Sequence, residues 1–117
     1  MSRSLAILFG ISFIFAGVAG FLPALTSNGA LLGIFEVNTM HNLVHIASGV
    51  LAIMASTTLK STKLFFLYFG FAYLLAGIIG WVRGGDLFMM HVNLADNILH
   101  ISIGVLCLLI WRAAKNR

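Results

Sequence analysis

Four histidines and three carboxylates carry most of the ligand and proton chemistry of this chain, and they fall in related places. His41 and His45 are i, i+4 neighbours, and so are Asp96 and His100, so each pair occupies one face of a helix. At a constant offset of 55 residues, His45 corresponds to His100, His41 to Asp96 and Glu36 to His91. Two of these three correspondences exchange an acid for a histidine. If the second and fourth helices face each other, His41, His45, Asp96 and His100 supply three imidazoles and a carboxylate. That set suits zinc, copper or non-haem iron, with Glu36 and His91 standing at its rim. Alternatively, His45 and His100 are two axial ligands to haem, or single ligands to a pigment held between helices.

Asparagines accompany the histidines. Asn42, His45 and Gly49 are spaced i, i+3, i+7, as are Asn97, His100 and Gly104, while Asn38 and Asn93 precede each group at the same offset. A structural role for the motif is the competing expectation. In it Asn42 bonds across to the His100 side and Asn97 to the His45 side, a polar clasp that fixes helix register. Such bonds in lipid are worth about 0.6 kcal/mol each, with values up to roughly 2. Proton or ion transport is the third expectation, and it is the weakest. No acids continue along the helices, where Ser12, Ser48, Ser56 and Ser102 are the main polar side chains left. The single Cys107 lies far along the fourth apolar run from the histidines, so no Cys/His dyad is expected and the chain leans away from enzyme chemistry.

The elements that hold these residues are membrane helices. At 61% hydrophobic and 9% charged, with a mean hydropathy of +1.06, the chain is far from the composition of a water-soluble domain. Apolar runs at 5–25, 43–59, 64–82 and 94–111 are each about long enough to cross roughly 30 Å of hydrocarbon. Helices are expected at 5–25, with Pro23 interrupting the end, and at 40–58, 64–82 and 94–111. A surface loop with an apolar stretch at 31–35 should link the first two, and a short turn carrying Lys60 and Lys63 the next two. Trp81 and a turn at Gly84-Gly85 should end the third helix.

The chain also repeats. Residues 36–53 match 91–108 at the offset of 55, and 10–21 match 70–81 at an offset of 60, with Gly10/Gly70, Gly17/Gly77 and Gly20/Gly80 coinciding. Small residues at such positions let helices approach closely in lipid. Because each copy holds two spans, the copies share an orientation, unlike the inverted repeats of many transporters. The expected fold is all-α: a four-helix transmembrane bundle of two repeated hairpins related by a pseudo-two-fold along the membrane normal. It forms a single integral membrane domain over 1–117, with repeat one at about 5–59 and repeat two at about 64–113. A cleaved signal at the start is disfavoured, since the first run shares the glycine spacing of the third.

Charge orients the bundle. Arg3, Lys60, Lys63, Arg112, Lys115 and Arg117 flank one side of a four-span arrangement and Arg83 alone the other. This positive-inside bias places both termini in the cytoplasm. The net charge of +4 is thus a topology signal, and no nucleic-acid partner is expected. The glycine faces leave room for a homo-oligomer or for other membrane subunits.

The segments GIFEVNTMHNLVHIASGVLA and ADNILHISIGVL resemble the small bacterial integral membrane proteins of domain-of-unknown-function family 4383, over roughly 10–109. The resemblance implies a four-helix protein of the bacterial inner membrane with no assigned reaction. Asn42, His45, Asn97 and His100 match its motif without any catalytic role attached. The expectation is a non-enzymatic structural or accessory subunit packed by its Asn/His pairs, with metal, haem or pigment binding at the His cluster as the alternative.

Overall fold

In a computed structural model, which describes residues 1–88 and 90–115, the chain forms four α-helices. They are α1 (Ser2–Ala19), α2 (Thr39–Ala55), α3 (Leu59–Val82) and α4 (Leu94–Ala114). Arg117, counted among the basic flank, lies outside the described residues. Helices α1, α3 and α4 are long and apolar enough to cross a membrane, and α2 is a shorter apolar helix of 17 residues.

Boundaries differ from expectation for local reasons. Helix α1 stops at Ala19 rather than running to Leu25. Pro23 has no N–H to continue the ladder, and residues Pro23–Leu25 tighten into a 3-10 turn. Helix α3 begins at Leu59, five residues early, because Thr58 accepts the Ser61 N–H at 3.1 Å as an N-cap. Lys60 and Lys63 therefore lie in the first turns of α3 and not in a connecting loop.

The loop between α1 and α2 is not irregular. It folds as a three-stranded antiparallel meander, β1 (Thr26–Ser27), β2 (Ala30–Leu31) and β3 (Phe35–Glu36). Its first turn is Asn28-Gly29, with φ of 53° and 77°, the left-handed pair that a tight two-residue hairpin requires.

Helix α1 packs along α2, and α3 along α4, through glycines. A Cβ at Gly10 or Gly49 would strike the facing backbone, as would one at Gly104 against Gly70 and Leu74. At one end the core is built from Ala6, Ala52, Phe65, Phe66 and Cys107. From there an aromatic column of Phe9, Phe13, Phe66, Phe69 and Tyr73 climbs toward the other end, where the histidines sit.

Candidate metal centre

Caps place the histidines. Asn38 is the N-cap of α2, and its side-chain oxygen accepts the His41 N–H at 2.8 Å, which sets His41 in the first helical turn. His45 follows one turn deeper on the same face. His100 lies in the second turn of α4, beneath a capping box in which Asn93 Oδ1 accepts the Asp96 N–H and Asp96 Oδ2 accepts the Asn93 N–H. Helices α2 and α4 pack mainly on their own hairpin partners, yet their His-bearing ends converge. The ring centroids of His41 and His45 are 4.4 Å apart, those of His41 and His100 5.5 Å, and those of His45 and His100 6.1 Å. All three residues are buried, and one ligand nitrogen from each falls within 4.8 Å of the other two.

The polar state of the cluster is unusual. His41 Nδ1 lies 3.0 Å from the Glu36 carbonyl oxygen. A carbonyl only accepts, so Nδ1 carries the proton and, in the neutral ring, the Nε2 lone pair faces inward. That Nε2 is buried without a protein partner, and so are both ring nitrogens of His100. A ligand histidine typically donates its outer N–H to a carbonyl and keeps its inner nitrogen for the metal. His41 is prepared in that way.

Two aromatic rings wall the cluster from the bundle interior. Phe13 stacks on His45 with centroids 5.9 Å apart and on Tyr73 at 5.4 Å, and Tyr73 meets His100 edge-on at 5.5 Å. The Tyr73 hydroxyl donates to Ser48 Oγ at 2.9 Å, which ties α3 to α2. Neither ring stood out as a site residue in the sequence. The signal was present, since Phe13 and Tyr73 are equivalent at the offset of 60.

The remaining site residues are placed as follows. Asp96 is buried, but its carboxylate is turned to the α4 cap and does not join the three rings, because an unpaired helix N-terminus offers it backbone N–H donors. Asn42 and Asn97 do not bond across to the histidines. Each carboxamide lies against a glycine of its own hairpin, Gly20 for Asn42 and Gly80 for Asn97, where a Cβ would collide with it. Both Oδ1 atoms are buried without a protein partner.

Glu36 and His91 meet at the rim, Oε2 to Nδ1 at 2.7 Å. Beside them the two capping asparagines reach across between the halves: Asn38 Nδ2 donates to the His91 carbonyl at 3.0 Å, and Asn93 Nδ2 to the Ile34 carbonyl at 2.9 Å. Next to this rim, Asp86 is held below the usual carboxylate range by the Phe88 N–H and by Arg83, whose guanidinium donates to it at 2.9 Å.

Three imidazoles within 4.8 Å suit a single metal ion. Metal–nitrogen bonds of about 2.0–2.1 Å put ligand nitrogens roughly 3.3–3.6 Å apart, so the cluster must close by a little over 1 Å, within the reach of side-chain rotation. Haem or another tetrapyrrole does not fit. A macrocycle between His45 and His100 needs a clear plane, which His41, Phe13 and Tyr73 fill.

No curated protein and no solved structure matches the chain. A family model does match it, over residues 3–113, and the chain belongs to that family, the domain of unknown function DUF4383.

Proposed function

We propose that this is a four-span integral membrane protein that holds a transition-metal ion on His41, His45 and His100. The observation that carries this reading is the convergence of three buried imidazoles, three of whose ring nitrogens have no protein partner. A buried polar group without a partner costs about 1–3 kcal/mol, a penalty that a bound ion removes. Neutral imidazole donors suit zinc, copper, iron or nickel. Among the described residues no fourth ligand stands with the three, which leaves a position for water or a small exogenous ligand, as catalytic and transport sites have.

Several features support the membrane setting. The molecule is 45 Å in its longest dimension, close to the thickness of a bilayer with its headgroups, about 40–45 Å. Large apolar side chains such as Phe15, Tyr68, Phe71 and Leu109 are exposed around the helices, where lipid would cover them. The short α2 would then cross by tilting or by local thinning of the bilayer. The basic end is assigned to the cytoplasm of a bacterial inner membrane, which sets the histidines toward the outer leaflet. The pairing of Phe13 with Tyr73, His45 with His100 and Glu36 with His91 supports a duplicated hairpin with a pseudo-two-fold along the membrane normal.

A second reading, a structural or accessory subunit, is favoured by the matched seating of Asn42 on Gly20 and Asn97 on Gly80. It accounts for the asparagines and glycines but leaves the three histidines unexplained.

Elemental mass spectrometry separates the two. The protein is purified without chelator, beside a His45→Ala/His100→Ala variant. Near-stoichiometric iron, copper, zinc or nickel that vanishes from the still-folded variant is the expected result. Equal, substoichiometric metal in both samples would return the chain to the structural reading.

A further inference from the structure

Among the described residues, no carboxylate or thiol joins the cluster of His41, His45 and His100. The three acids of the sequence are engaged elsewhere. Glu36 Oε2 meets His91 Nδ1 at 2.7 Å, and Asp86 binds Arg83. Asp96 Oδ2 accepts the Asn93 N–H at the start of α4, where the positive end of the helix dipole opposes its charge. Cys107 is buried in the core at the other end of the bundle. The rings themselves are buried, and the Glu36 carbonyl keeps a proton on His41 Nδ1, so that ring enters as a neutral donor. The remaining neighbours are uncharged as well. Phe13 stacks on His45 and offers no polar atom, and the Tyr73 hydroxyl is turned to Ser48 Oγ at 2.9 Å. The carboxamides of Asn42 and Asn97 are seated on Gly20 and Gly80.

Charge decides which ion such a site holds. Three imidazoles replace part of the hydration shell of any candidate metal, but the ion's full charge still faces a buried, uncharged surround. The cost of burying an ion rises with the square of its charge, so a dication costs about four times as much as a monocation of the same size. A dication offsets that cost with an anionic ligand, a thiolate, carboxylate or hydroxide, and the cluster supplies neither of the first two. Monovalent copper needs none of them. It carries a single charge, binds imidazole nitrogen, and is coordinatively satisfied by three ligands. We infer that the ion held on His41, His45 and His100 is copper(I), and that zinc(II), nickel(II), iron(II) and copper(II) are discriminated against by their second charge. The inference rests on the metal reading of the three histidines and names the ion for it.

The test is metal competition on the full chain, stripped of metal and held without oxygen in a neutral detergent. The protein is offered zinc(II) beside an equal amount of copper, desalted, and read by elemental mass spectrometry. In one arm the copper is copper(I), delivered from its acetonitrile complex with excess ascorbate, and in the other it is copper(II) without reductant. The wild type should retain copper(I) near stoichiometry and zinc at least about tenfold less, and copper(II) should be retained less than copper(I) by a similar factor. His100→Glu exchanges a neutral ligand for an anionic one and should reverse the order, holding zinc over copper(I). If that variant does not fold or does not bind, copper(I) against copper(II) on the wild type decides alone, since the element is the same and the charge differs. Zinc or copper(II) retained as well as copper(I), and lost from His45→Ala/His100→Ala, overturns the inference and leaves the metal reading standing. An undiminished preference for copper(I) in His100→Glu overturns it too. Metal retained alike by the wild type and the double variant, or by neither, overturns both.

Discussion

Replacing His100 with leucine should make the metal-free protein more stable and destroy its response to metal. In the folded chain His100 is 3% exposed, and neither ring nitrogen has a protein partner. Leaving a buried polar group unpaired costs about 1–3 kcal/mol, whereas an apolar side chain of similar volume carries no such penalty and little repacking strain. In chelator, His100→Leu is therefore expected to exceed the wild type by about 1–3 kcal/mol. A metal at a hundred times its dissociation constant stabilises the wild type by about 2.7 kcal/mol and a variant that cannot bind it by nothing. The two curves should draw level or cross. The assay is reversible unfolding in mixed micelles, followed by the fluorescence of Trp81 and Trp111, with chelator and then with each candidate metal. A variant less stable than the wild type in chelator would show that His100 has a polar partner in the folded state. An equal gain from metal in both proteins would place the ion elsewhere. Either result refutes the argument from unpaired nitrogens.

Two further expectations address the frame around the site. Gly20→Ala and Gly80→Ala each drive a methyl group into a carboxamide, Asn42 and Asn97 respectively, and overpacking of this kind costs about 1–3 kcal/mol. Thermal unfolding of both variants should show similar losses, and an unchanged melting temperature in either would mean that the helices do not approach as closely as described. At the rim, acid should undo the Asp86 turn late. Its carboxyl is depressed by the Phe88 N–H and by Arg83, so its contribution is present above the unfolded value and is lost as pH falls through the folded one. The Phe88 amide resonance in micelles should hold through the ordinary Asp range near about 3.9 and move only below it, and a midpoint at or above that range would contradict the depression.

Much of this arrangement was legible in the residues. Four apolar runs require four helices, and the offset of 55 singles out His45 and His100. Hydropathy could not place the helix ends, because a run of apolar residues continues through turns that backbone chemistry breaks. Pro23 ended α1 within such a run, and Thr58 started α3 ahead of one. The Asn28-Gly29 pair carried a hairpin signal that the surrounding membrane pattern masked. Asn93 and Asp96 likewise read as a capping box, three residues apart at the start of a helix. Repeat equivalence to His41 and i, i+4 spacing to His100 group Asp96 with the histidines, but they fix only the face of a helix and say nothing of where a carboxylate finds its donors. The Phe13 and Tyr73 walls were hidden for a different reason. Aromatic residues in an apolar helix resemble any other core residue until a tertiary contact distinguishes them.

The exchange of acid and histidine at offset 55 accounts for a cluster of three rings rather than four. Had both copies kept the His41 pattern, His-x-x-x-His on each helix would supply four imidazoles and a coordinatively closed site. With Asp96 in the equivalent place, the carboxylate goes to the α4 cap, which leaves His100 as the residue that α4 brings to the three rings. The other exchange acts one layer out. Two glutamates at the rim would repel, whereas Glu36 Oε2 and His91 Nδ1 meet at 2.7 Å. That contact, with the crossed bonds from Asn38 and Asn93, joins the loop before α2 to the loop before α4. The residues that differ at these related positions thus tie the two loops together and leave three rings, rather than four, in the cluster.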